Sequence, residues 1–116
     1  MEGSAIISVE ERSTAVFVKC RGELTIYEAP DMRKKLIDLV EQGKTRFILD
    51  MSEVTFIDSS GLGLIVGLYR RIYNIGGSAL ALVATEPNIL RVFKVSGIDR
   101  VIKNIFSSVA EAEASI

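Results

Sequence analysis

The chain has 116 residues, 14 Lys+Arg against 15 Asp+Glu, one Cys and no His. That length suits a single domain over residues 1–116, and a hydrophobic share of 48% can fill a core, which argues against disorder. A net charge of −1 gives no broad cationic field for nucleic acid. Without histidine, no Ser-His-Asp or Cys-His machinery can be assembled, so neither an enzyme nor direct nucleic-acid contact is expected.

Residues Ala5 to Val9 and Ala15 to Arg21 read as two strands. In the second, Val16, Val18 and Cys20 alternate with Phe17, Lys19 and Arg21, the period of a half-buried strand. Cys20 there is a small buried hydrophobe, and a lone thiol makes neither an internal disulfide nor a thiolate metal site. The polar link Glu10 to Thr14 suits a hairpin. A helix is expected from Ala29 to Gln42, with Pro30 in its first turn and Met32, Leu36, Leu39 and Val40 as its apolar stripe. Gly43 is placed to end it. Arg33, Lys34 and Lys35 read as a solvated face. Arg46 to Asp50 is a third strand, apolar at Phe47, Ile48 and Leu49 as burial on both faces requires.

Leu62, Ile65, Val66, Tyr69, Ile72 and Tyr73 recur at helical spacing and predict a helix over Ser60 to Asn74, ended by Gly76-Gly77. Tyr69 and Tyr73 suit the edge of the core, and Arg70 and Arg71 a solvated face. Leu80 to Val83 is the next strand. Thr85 can cap a shorter helix with Glu86 and Pro87 in its first turn, and Ile89, Leu90, Val92 and Phe93 on its core side. Ser96-Gly97 closes that helix. Val101 to Ile105 reads as a last strand and Val109 to Ala114 as a final helix. Alternating strands and helices imply an α/β domain with a small mixed, mostly parallel sheet, an opening hairpin and about four helices. There is no internal repeat, low-complexity tract or linker.

The segment Thr55-Phe56-Ile57-Asp58-Ser59-Ser60-Gly61-Leu62-Gly63 is the one that can carry chemistry. Two hydroxyls and a carboxylate sit where a helix begins, and Asp58 or Ser59 can cap its free N–H groups. Gly61 and Gly63 each cost about 1 kcal/mol of helix propensity relative to Ala, and let another backbone or a ligand come close. A hydrolase elbow fails, since Ile57 stands where its first glycine belongs and no histidine exists. A dinucleotide fingerprint fails because Gly61, Gly63 and Gly67 are misspaced, and no phosphate loop is present. From the residues alone, a plain capped helix and a serine modified by another protein both remain.

The string Phe56 to Gly63 resembles the signature of bacterial anti-sigma factor antagonists of the STAS domain family. Gly22-Glu23-Leu24, Ile75-Gly76-Gly77, Pro87, Val92-Phe93 and Ser96-Gly97-Ile98 resemble further family positions in order along the chain. Many phosphorylated members continue the first of these motifs with an acidic residue, where this chain has Thr25. The resemblance implies the STAS fold and a binding protein rather than an enzyme. It implies phosphorylation at Ser59, with Asp58, Ser60, Gly61, Leu62 and Gly63 meeting the partner. Ser60 is the runner-up phosphosite.

The implied partner is an anti-sigma factor that is itself a serine kinase using Mg-ATP. Its capture by the unphosphorylated chain releases a sigma factor, and a separate serine phosphatase reverses the modification. No cofactor or metal is then expected in this chain. The alternative is a non-switching STAS adaptor or scaffold in a stress-sensing or lipid-transport complex. Met1-Glu2-Gly3-Ser4 lacks the basic region of a targeting signal, and the longest apolar run, Leu62 to Tyr69, is far short of the roughly 18 residues of a membrane span. A cytoplasmic location without membrane insertion is the expectation.

Overall fold

The computed structural model describes residues 5–116, so Met1-Glu2-Gly3-Ser4 lies outside the described residues. Two strands open the fold, β1 (Ile6–Glu11) and β2 (Val16–Leu24). They pair antiparallel, from Glu11 opposite Val16 to Ile6 opposite Cys20. The polar link closes as expected, with the Arg12 N–H donating to the Ala15 carbonyl at 3.0 Å. β2 then runs parallel to β3 (Arg46–Ile57), β3 to β4 (Ala79–Val83) and β4 to β5 (Ile105–Phe106), in spatial order β1-β2-β3-β4-β5. Parallel neighbours need crossovers. Helices α1 (Ala29–Glu41) and α2 (Ser59–Ile72) supply the first two, α3 (Pro87–Ser96) and α4 (Ile98–Val101) the third, and α5 (Val109–Ser115) ends the chain. This is the mixed, mostly parallel α/β sheet expected, with five helices because α4 adds one turn.

The sheet is covered on both faces. Val18, Cys20, Leu49 and Leu82 meet Met32 and Leu36 of α1, Ile65 and Leu68 of α2, and Ile89 and Phe93 of α3. On the other face Phe17, Ile48, Ala81 and Val83 pack with Ala112 of α5. Phe47, Ile48 and Leu49 are therefore fully buried, as expected of a central strand. The half-buried reading of β2 needs correction at Phe17, which faces away from α1 yet is buried under α5. Cys20 is fully buried, and desolvation pushes its thiol up to about 12, so it stays protonated as a small apolar side chain.

Several elements differ from expectation, β2 running on to Leu24 rather than ending at Arg21 among them. β3 runs on to Ile57 rather than ending at Asp50. α2 ends at Ile72 rather than Asn74, and buries Gly61, Leu64, Ile65, Leu68 and Ile72. Leu62, Val66 and Tyr69 are only half-buried, and Tyr73 is exposed, stacked on Tyr69 at 5.6 Å between ring centroids. Thr85 caps nothing. Glu86 is the N-cap of α3, its carboxylate accepting from the Asn88 N–H at 2.8 Å, and Leu90 faces solvent. The expected strand Val101–Ile105 begins instead as α4, because Gly97 at φ 83° turns the chain straight into a second helical turn that buries Ile98. Only Ile105–Phe106 pairs with β4.

Candidate functional site

Because β2 and β3 are parallel, their C-terminal ends lie side by side, Leu24 opposite Ile57. The chain leaves β3 at Ile57 and enters α2 at Ser59 through Asp58, whose backbone is extended. The Asp58 N–H donates to the Leu24 carbonyl at 3.2 Å. Its Oδ1 accepts from the N–H groups of Ser60 at 2.8 Å and Gly61 at 3.2 Å, the N-cap arrangement. Its Oδ2 accepts from the Ile26 N–H at 3.1 Å. One carboxylate thus caps α2 and pins the loop between β2 and α1 to it.

Gly61 makes that junction possible. A Cβ there would lie 2.6 Å from the Leu24 carbonyl oxygen and 2.7 Å from Ile57 Cγ1. The helix can begin against two strand ends only where no side chain intervenes. Gly63 is different: it is exposed, and a Cβ would meet nothing within 4 Å.

The two serines are separated by direction. Ser59, the first residue of α2, is exposed, and no hydrogen bond engages its hydroxyl among the described residues. Ser60 is half-buried and turns toward α1, lining a cleft of about 610 Å³ with Pro30, Arg33, Gly63 and Leu64. Leu62 turns the opposite way, into a second cleft of about 550 Å³ with Phe56, Val92 and Val95. The start of α2 is thus a ridge between two apolar hollows. Tyr27 (86% exposed), Ile26 (59%) and Phe56 (52%) stand out on the same edge. Exposed apolar groups gathered in this way mark an interaction surface.

Sequence reading missed the loop that carries Ile26 and Tyr27. Thr25-Ile26-Tyr27-Glu28 has the T-x-x-E spacing of a capping box, the signal that was there to find. Glu28 Oε1 accepts from the Thr25 hydroxyl at 2.6 Å and from its N–H at 2.9 Å, while Thr25 Oγ1 accepts from the Tyr27 N–H at 3.2 Å. The Thr25 hydroxyl, then its N–H, hold the Glu28 carboxyl below the ordinary carboxylate range. Thr25, itself buried, therefore serves as the anchor of a closed turn.

Asp58, the carboxylate nearest Ser59 in sequence, is occupied by three backbone N–H groups. Among the described residues no three His, Cys, Asp or Glu side chains gather as a metal site, and no helix is long and apolar enough to cross a membrane. The arrangement offers an exposed hydroxyl at a helix N-terminus, framed by apolar surface.

Comparison with known proteins gives a consistent picture. The anti-sigma-B factor antagonist of Bacillus subtilis is 32% identical over 110 residues, covering 95% of each chain. The Bacillus cell fate determinant SpoIIAA, solved in its phosphorylated form, superposes with a TM-score of 0.73 at 26% identity, over 93% of this chain and 96% of that one. An anti-sigma factor antagonist from Mycobacterium paratuberculosis shares the fold, with a TM-score of 0.85 at 21% identity over 94% and 91% of the two chains. The STAS domain model matches residues 7–112, and with that match and those relatives the chain belongs to the STAS domain family.

Proposed function

We propose that this chain is an anti-sigma factor antagonist controlled by phosphorylation of Ser59. The observation that carries the reading is the division of labour at the start of α2. Asp58 is consumed by the cap, Ser60 is turned into a cleft, and Ser59 alone presents an exposed hydroxyl. Support comes from the Bacillus subtilis relative, named an anti-sigma-B factor antagonist, and from the structural relative known in a phosphorylated form.

In this reading the unphosphorylated chain docks on an anti-sigma factor through the ridge Asp58 to Gly63, and a sigma factor is released. The anti-sigma factor is a serine kinase that transfers phosphate from Mg-ATP to Ser59, and a serine phosphatase removes it. Phosphate adds about −1.5 to −2 charge at that position. A helix N-terminus accommodates an anion, so the chain keeps its fold. Against a docked partner the same group adds bulk and repulsion, and a penalty of about 3 kcal/mol weakens binding over a hundredfold.

Incubation with the candidate kinase and Mg-ATP, followed by mass spectrometry of the peptide containing Asp58-Ser59-Ser60, reads the modification directly. Ser59→Ala is expected to bind the kinase constitutively and Ser59→Asp to bind it over a hundredfold more weakly. Equal affinity of wild type and both variants would falsify the switch and leave an adaptor that binds without switching.

A further inference from the structure

We propose that the cleft between α1 and α2 receives an apolar, carboxylate-bearing segment of the partner kinase, and that Arg33 selects that segment. This rests on the switch reading above and names the partner chemistry of the same site. Ile26, Pro30, Ile37 and Leu64 give the cleft an apolar lining. Its volume of about 610 Å³ falls within the range of specific binding clefts.

The rim carries Arg33, Lys34 and Asp38. Lys34 pairs with Asp38 at 3.3 Å, and elsewhere on α1 Lys35 pairs with Asp31 at 3.2 Å and Glu41 with Arg71 of α2 at 3.9 Å, so the acidic groups of the helix are already matched. Among the described residues Arg33 has no ion-pair partner. An apolar lining with one cation left over beside the Lys34–Asp38 pair is complementary to an apolar segment with a carboxylate beside it. The opposite wall is open at Gly63, where a Cβ would meet nothing within 4 Å. The packing of the chain itself does not require that glycine, and its bare backbone leaves room for an incoming side chain.

The regulation follows from the same charge. Ser60 lines the cleft, and the exposed Ser59 precedes it in α2. A phosphate there repels the carboxylate that Arg33 attracts. Docking and release are then two signs acting on one group of the partner.

The test is steady-state phosphorylation by an anti-sigma serine kinase from the same genome, with KM and kcat separated. Arg33→Glu is expected to raise KM about tenfold at about 50 mM salt, with kcat unchanged, and the gap to close toward about 0.5 M salt as the charges are screened. Arg33→Lys should stay within about threefold of wild type, because it keeps the charge. Gly63→Met should raise KM at every salt concentration while melting no lower than wild type, because it fills the cleft and removes a helical glycine. Wild-type KM in both Arg33→Glu and Gly63→Met overturns the groove and leaves the switch standing. A salt-independent defect in Arg33→Glu overturns the charge pairing and the proposal with it. Dissociation of a wild-type dimer by Gly63→Met would assign the cleft to a second copy and overturn the kinase segment. No phosphorylation of wild type at all overturns the switch itself, and the groove falls with it.

Discussion

Gly61 and Gly63 stand two residues apart in α2 and answer to different demands. Gly61 is fixed by the fold, because a methyl group would lie 2.6 Å from a backbone carbonyl oxygen that also accepts the Asp58 N–H. Backbone cannot swing aside as a flexible side chain does. Overpacking of that kind costs about 1–3 kcal/mol, and the helix-propensity gain from Ala offsets only about 1 kcal/mol of it. Gly61→Ala is therefore expected to lower the melting temperature by several degrees, while Gly63→Ala leaves it unchanged or raises it. Thermal unfolding followed by circular dichroism checks both. Equal melting temperatures for the two variants would show that α2 can retreat from Leu24, and that the junction is looser than its contacts indicate. The same contrast separates the residues around them. Asp58 is held by three N–H groups and fixes geometry, whereas the Ser59 hydroxyl is exposed and engages no hydrogen bond among the described residues.

The turn between β2 and α1 behaves as a small element of its own, closed by Thr25 and Glu28 and tied to α2 by Asp58. The Glu28 carboxyl titrates below its reference value of 4.5, because the ionised form accepts from the Thr25 hydroxyl and N–H. A depressed carboxylate contributes stability that is fully present above the unfolded value, and loses it as pH falls through the folded one. The Thr25 amide resonance should thus shift with a midpoint below 4.5, and Glu28→Gln should flatten that titration. A midpoint at or above 4.5 would mean the turn does not hold the carboxylate in solution. The sequence carries this turn as T-x-x-E spacing, but Thr25 directly follows Gly22-Glu23-Leu24, at the position where the resemblance leads one to expect an acidic residue. The far half of β3 was hidden for a different reason. Opposite β2 its register slips between Asp50 and Glu53 and again between Val54 and Phe56, one extra residue each time. Those irregularities space its buried residues at Met51, Val54 and Ile57, which breaks the alternation that marks a strand. In α2 the difficulty was excess. Leu62, Val66 and Tyr69 are as apolar as Leu64, Ile65 and Leu68, so periodicity alone could not choose the buried side. The sheet, the crossovers and the exposed start of α2 were legible, since each depends on local patterning. Which side chains share a cleft was not, because α1 meets α2 only through tertiary packing.

At the scale of the whole molecule, the two faces of the sheet are covered by different elements. The Ser59 ridge is built on the face that carries α1 to α3, at the ends of β2 and β3. The opposite face is closed by α5, a helix of 7 residues, too short to be stable without tertiary contacts. Its anchors are the buried methyl of Ala112, the Ser108 cap on the Glu111 N–H at 3.1 Å, and Glu113 accepting from Arg12 and Thr14 at 3.2 Å each. Ala112→Asp places an unpaired carboxylate against Phe17 and Ile48, and is expected to destabilise the protein by about 2–4 kcal/mol while freeing α5. Hydrogen exchange should then accelerate across Val109–Ser115 and on the β3 and β4 amides beneath, but not at Ser60 or Gly61. The rate of Ser59 phosphorylation per folded molecule should stay at the wild-type value, with Ala112→Ser as a milder check should the Asp variant unfold. A fall in that rate in a folded variant would show that the two faces are coupled through β3, and that the switch reaches across the sheet.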